Sequence, residues 1–237
     1  EGIAIAVAEQ MKSERFKTEL ITNVSHDIKT PLTSIINYVD LIKKEGISEE
    51  KVREYVEVLD RQSARLKKLI EDLLEASKAS TGNVEMHMEP CDAAVMISQV
   101  VGEYQDKLQA QDIEIVVNEA KNPANIMADG RHLWRGFDNI MSNICKYTQD
   151  HTRVYVNVED AGDQVRMIFK NISKYPLNIS SDELMERFVR GDASRNTEGH
   201  GLGLSIASSL TALMDGQLTI DIDGDLFKIT VAMKKQA

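Results

Sequence analysis

Three short stretches of the sequence combine residue types that do chemistry. The first is Ser25-His26-Asp27-Ile28-Lys29-Thr30. An imidazole beside a carboxylate has the parts of a nucleophile, since the carboxylate can take a proton from one ring nitrogen while the other attacks. Thr30 adds a hydroxyl four residues on, on the same helical face as His26. The second stretch is Gly199-His200-Gly201-Leu202-Gly203-Leu204, just ahead of a helical pattern. Alternate glycines let backbone pass close to a phosphate, and a helix N-terminus adds N–H donors and positive partial charge. It is not a Walker loop, because no Gly-Lys-Ser/Thr follows. Nor is it a dinucleotide fingerprint, because the polar residues before it read as loop rather than strand. The third stretch runs from Leu133 to Tyr147, with Asn139 and Asn143 one turn apart on one face. Asparagine is a poor residue for a helix interior, and its carboxamide oxygen suits a hard cation such as Mg²⁺. Lys146 lies within reach of phosphates that such a cation would bring.

Each stretch alone also fits a plainer role: a solvated histidine, a flexible linker, a pair of surface amides. Other chemistries fit less well. Cys91, Cys145, His87, His132, His151 and His200 show no paired spacing for zinc. Ser25, His26 and Asp27, as consecutive helix residues, point in directions about 100° apart and cannot converge as a hydrolase triad.

The elements that must position these residues fall into two textures. Up to Ala79 the chain has few breakers, and Val24, Ile28, Leu32, Ile35, Val39 and Ile42 recur at the helix period. Relative to Val24, His26 and Thr30 fall at about 200° and 240° on the helical wheel, away from that apolar stripe. A second apolar series runs from Val52 to Leu74. Between the two, Glu45-Gly46-Ile47-Ser48 supplies a glycine stop and a serine N-cap. This is a helical hairpin, and two helices alone bury too little, so two hairpins pairing as a dimeric four-helix bundle is the expected state. Residues 77–83, rich in small side chains, mark a boundary. Beyond it, strand-like alternation at 114–118, 153–159, 164–170, 217–221 and 226–231 is interleaved with helical patterns at 92–110, 131–147 and 202–214. That mixture predicts an α/β sandwich with helices on one face of a mixed sheet, so the whole chain is α+β.

Composition narrows the partners. The formal net charge of −10 over 237 residues argues against general nucleic-acid binding, which needs a basic stripe. Two cysteines cannot build a disulfide framework, which points to a reducing compartment. The opening apolar run of residues 3–8 is far shorter than the about 20 residues a membrane helix needs. The chain reads as a soluble piece of something longer.

Taken together, in this order, the three stretches resemble those of bacterial sensor histidine kinases. Ser25-His26-Asp27-Ile28-Lys29-Thr30-Pro31-Leu32 resembles the phosphoacceptor box, and Asn139 to Tyr147 the asparagine box of the ATP-binding domain. Glu186-Arg187-Phe188-Val189-Arg190-Gly191-Asp192 resembles the phenylalanine box that begins the ATP lid, and Gly199 to Leu204 the glycine-rich box. The resemblance implies three segments: a signalling helix over 1–15, a dimerisation and phosphotransfer domain over 16–80, and an ATP-binding domain over 84–237. It implies that His26 is phosphorylated, with Asp27 as proton acceptor and Thr30 serving dephosphorylation of the partner. Asn143 would ligate Mg²⁺, with Asn139 close to the nucleotide. Lys146, Tyr147 and Arg190 would line ATP, and the backbone of Gly199, Gly201, Leu202 and Gly203 would wrap its phosphates. The implied partners are a second copy of the chain and the receiver domain of a response regulator. The implied setting is the cytoplasmic side of a membrane-attached receptor.

One box departs from the pattern. Where the family has Asp-x-Gly-x-Gly, whose Asp binds the adenine amino group, this chain has Asn171-Ile172-Ser173-Lys174-Tyr175. The side-chain oxygen of Asn171 could still accept from that amino group, without the charge. Either ATP binds beside a rearranged loop, or the site is weakened, leaving a scaffold or mainly a phosphatase of the regulator.

Overall fold

The computed structural model describes residues 25–43, 48–81, 84–118, 124–177, 184 and 201–236. These fall into two compact units, 1–74 and 75–237. The expected signalling helix over 1–15 lies outside the described residues.

In the first unit the expected hairpin is formed by α1 (Ser25–Ile42) and α2 (Glu49–Thr81), which extends into the second unit. Ser48 caps α2: its Oγ accepts from the Lys51 N–H at 3.4 Å, and Glu49 and Glu50 sit in the positive first turn. Tyr38 and Tyr55 join the two helices, with ring centroids 5.2 Å apart. Pro31 lies inside α1, where it leaves the Asp27 carbonyl without its usual partner. Leu32, Ile36, Val56, Ile70 and Leu74 stay 42% to 56% exposed. A single hairpin therefore leaves an apolar stripe in water, as the helix periodicity requires.

The residues expected to mark a boundary, 77–83, do not break the helix: α2 continues through Thr81, and 82–83 lie outside the described residues. Ala76, just before this stretch, is 2% exposed in a cluster with Leu202, Ile206 and Leu210.

In the second unit the elements after α2 are β1 (Glu89–Asp92), α3 (Ala93–Gln109), β2 (Glu114–Asn118), β3 (Asn125–Ala128), α4 (Gly130–Tyr147), β4 (Arg153–Asp160), β5 (Gln164–Ile172), α5 (Gly203–Leu213), β6 (Gln217–Asp223) and β7 (Leu226–Lys234). A five-stranded mixed sheet has the order β2-β4-β5-β7-β6, with β2 parallel to β4 and the other pairs antiparallel. Every second residue of β4, β5 and β7 is buried: Val154, Val156, Val158; Val165, Met167, Phe169; Phe227, Ile229, Val231. They meet Ile97, Val100, Phe137, Ile140, Met141 and Ile144 of the helices, forming the expected sandwich. Strands β1 and β3 form a separate antiparallel pair that the alternation pattern did not predict. Each has four residues, too few to register a period, and only Ile126 and Ala128 of β3 turn inward.

Two aspartates set the helix starts. Asp92 caps α3, accepting from the Ala94 N–H at 2.9 Å. Asp129, 1% exposed, caps α4: it accepts from the N–H groups of Arg131 at 3.0 Å and His132 at 3.2 Å, and of His87 at 2.9 Å. Burial pushes the Asp129 carboxyl up, but the backbone donors of His87 and His132 outweigh it and hold it below its ordinary value. A depressed folded-state pKa means stability that is present above the unfolded value and lost as pH falls through the folded one. Asp129→Ala is therefore expected to cost about 1–2 kcal/mol at neutral pH in urea unfolding. The gap between parent and variant should close as the pH falls below 3.8; a gap independent of pH would refute the assignment.

Candidate functional site

Helix α4 has one side sunk in the core and the other turned outward, and its asparagines lie at the border. Asn139 is 6% exposed, Asn143 half-buried and Lys146 exposed, with Tyr147 half-buried in the last turn. Lys146 and Tyr147 both interact with other groups, and the Tyr147 ring meets Tyr175 edge-on at 6.5 Å. Helix α5 packs antiparallel against α4. A Cβ built on Gly136 would lie 3.9 Å from Ala207 Cα, and one on Gly203 would lie 3.6 Å from Asn139 Oδ1. The absence of side chains at those two glycines is what lets the N-terminus of α5 rest on Asn139.

Gly201 has φ +68°, a conformation that suits glycine, and Leu202 offers no side-chain cap to the first N–H groups of α5. Leu202 itself is 1% exposed and belongs to the Ala76 cluster, so it anchors the loop while the backbone beside it supplies donors. Gly199 and Arg190, like the whole phenylalanine box, lie outside the described residues.

Asn171 ends the inward-facing row of β5, two residues beyond Phe169, whose ring packs 5.8 Å from Phe137 of α4. It is 3% exposed. The segment after it, where the family pattern has glycines, is tied in place. The Gln149 N–H donates to Ile172 O at 2.8 Å, Ser173 N–H to Asp225 O at 2.8 Å, and Lys174 N–H to Tyr147 O at 2.9 Å. The Tyr175 N–H also donates to Ser173 Oγ at 3.2 Å.

Two buried side-chain atoms among the described residues have no hydrogen-bond partner: Asn139 Nδ2 and Asn171 Oδ1. A buried polar atom left unpaired costs about 1–3 kcal/mol, so a folded chain keeps one where something else pairs with it. One is a donor on the residue against which the N-terminus of α5 rests. The other is an acceptor at the place expected for the adenine amino group. These residues fit a nucleotide, and the half-buried carboxamide of Asn143 fits Mg²⁺.

His26 and Asp27 lie in the first turn of α1, with Thr30 exposed one turn on. Thr30 makes an interaction of its own. Sequence reasoning missed a polar chain behind α4: the Tyr104 hydroxyl donates to Asp138 Oδ1 at 2.6 Å, and Arg135 joins Asp138 Oδ2 at 3.4 Å to Glu75 Oε2 at 2.9 Å. Burial, then the bond to Asp138, pushes the Tyr104 hydroxyl pKa well up. Nothing in residue spacing pairs Glu75 with Arg135. A cavity of about 310 Å³, lined by Asn118, Arg153, Tyr155, Asn157 and Lys170, opens on the outer face of the sheet. Asn171 borders it, but its own side chain belongs to the inward-facing row.

The unpaired oxygen has a measurable consequence. Asn171→Leu is expected to leave the ligand-free protein as stable as the parent, or more stable by about 1 kcal/mol, in chemical denaturation. A loss above about 2 kcal/mol would mean that the amide is held by the protein itself.

Comparison with known proteins agrees with this geometry. The model of the His Kinase A (phospho-acceptor) domain matches residues 16–82. That of the histidine kinase-, DNA gyrase B-, and HSP90-like ATPase matches residues 128–236. The sensor protein VanS of Enterococcus faecium is 29% identical over 209 residues, 87% of this chain and 54% of that protein. The chain spans about half the length of the curated relatives it matches. Among solved structures, histidine kinase ThkA in complex with response regulator protein TrrA superposes with a TM-score of 0.72 at 19% identity, covering 100% of this chain and 67% of that one. Full-length ShkA in complex with AMPPNP gives 0.67 at 22%, covering 94% and 46%. With a phosphoacceptor-domain match followed by an ATPase-domain match, in the order that its own motifs run, the chain belongs to the bacterial two-component sensor histidine kinases.

Proposed function

We propose that the chain autophosphorylates on His26 with ATP and passes the phosphoryl group to an aspartate of a response-regulator receiver domain. The observation that carries this is the pair of buried, unpaired amide atoms, Asn139 Nδ2 on α4, where the N-terminus of α5 rests, and Asn171 Oδ1 on the inward-facing row of β5. Further support comes from the ShkA structure, solved with AMPPNP, and the ThkA structure, solved with a response regulator. The stripe formed by Leu32, Ile36, Val56, Ile70 and Leu74 supports a homodimer, since a second hairpin would cover it. No described helix is long and apolar enough to cross a membrane. Attachment to one in the intact protein is inferred from the family alone.

In this reading a ring nitrogen of His26 attacks the terminal phosphorus in line. A P–N bond forms as the P–O bond to ADP breaks, and Asp27 takes the proton from the ring's other nitrogen. Asn171 receives the base, and the N–H groups at Gly201 to Gly203 receive the phosphates; Gly199 and Arg190, outside the described residues, are assigned to the nucleotide by the family resemblance alone. Lys146 and Tyr147 line the same side from the last turn of α4. Asn143 would hold Mg²⁺, which neutralises charge on the phosphate oxygens. Thr30, one turn from His26, would hold a water for dephosphorylating the regulator. Catalysis here rests on positioning and charge neutralisation.

A second reading, a dimeric scaffold or predominant phosphatase, is favoured by one observation. The segment after Asn171 lacks the family's aspartate and glycines and is pinned by its own hydrogen bonds.

Incubation with labelled ATP and Mg²⁺ separates the two. The parent should acquire label stable to base and lost in acid, His26→Gln should acquire none, and Asn143→Ala should lose about a hundredfold or more in rate. A folded parent that stays unlabelled would overturn the kinase reading, and regulator dephosphorylation would then identify the phosphatase.

A further inference from the structure

We infer that the base pocket accepts 6-oxopurine nucleotides as well as adenine nucleotides, with Asn171 as the residue that relaxes the choice. This rests on the nucleotide reading above and concerns what the site selects.

A carboxylate accepts hydrogen bonds and cannot donate, so it pairs with the 6-amino group of adenine and repels the 6-oxo group of guanine or hypoxanthine. A carboxamide has both an acceptor and a donor, and rotating it by half a turn exchanges them. Asn171 Oδ1 accepts from a 6-amino group in one orientation, and Nδ2 donates to a 6-oxo group in the other. Three observations make the amide available for both. It is 3% exposed, so the base cannot settle the matter by leaving its edge to water. Its oxygen has no partner, so no donor among the described residues locks that end in place. The backbone beneath it is fixed by the Asn171–Phe227 register of β5 and β7 and by the bonds from Ile172 to Lys174, so the side chain alone can adapt. Sites that discriminate strongly do so by leaving a buried polar group unpaired with the wrong ligand, at a cost of about 10⁴-fold or more. A group able to pair with either ligand forfeits that discrimination.

The test is calorimetric binding of ADP, IDP and GDP, each with Mg²⁺, to the whole chain, with no turnover required. IDP removes the 2-amino group of GDP from the comparison, so that it differs from ADP by the 6-oxo group and the N1–H that accompanies it. The parent should bind ADP and IDP within about tenfold of each other, and Asn171→Asp should widen that ratio to about a hundredfold or more by losing IDP. If Asn171→Asp fails to fold, Asn171→Ser, which can also accept or donate, should keep the parent's narrow ratio. A parent that binds ADP but rejects IDP and GDP by a hundredfold overturns the inference and leaves the nucleotide reading standing. A folded parent that binds none of the three overturns both.

Discussion

Helix α4 must fill the core on one side while carrying asparagines at the border of that face, and much of the arrangement of the second unit follows from that demand. Its Phe137, Ile140, Met141 and Ile144 fill the space over the sheet, each about 1% exposed or less. Asn139 lies among them in sequence and is drawn into the same layer. An amide that deep is tolerable only where its hydrogen-bonding capacity meets something. Gly203 lets the end of α5 approach it. The close approach of α4 and α5 is thus both the packing solution and the setting of the proposed phosphate site.

Supports on either side keep α4 in place. Asp129 ties its start to the backbone at His87, and Tyr104 and Arg135 bracket Asp138 on the face behind the asparagines. Arg135 also reaches Glu75, in the stretch of α2 whose Ala76 packs against Leu202, Ile206 and Leu210. One end of α2 therefore meets both helices that build the candidate site.

Asn171 shows how a departure from a family pattern can be absorbed. A carboxylate in the same place, 3% exposed and unpaired, would add the cost of a buried charge to that of an unmet acceptor. The neutral amide avoids the first cost. The loop beyond it needs no glycines, because Ser173 and Lys174 run back to Asp225 and Tyr147 in ordinary backbone conformations.

Much of this was legible in the chain. Hydrophobic period alone located both hairpin helices, three further helices and five strands, because each is long enough for its inward face to repeat. The spacing of Asn139 and Asn143 placed both on one side of a helix, and the glycines of residues 199–203 marked a helix entry. The sequence could not reveal the four-residue strands β1 and β3, which are too short to show a period. It also could not show that residues 77–81 remain helical, since small side chains signal a turn or a close contact equally well. Above all, it named Asn139 and Asn171 without showing that an atom of each is sealed from water and unpaired. Burial and hydrogen-bond partners are properties of the space between elements distant in the chain, and only the assembled sandwich defines that space.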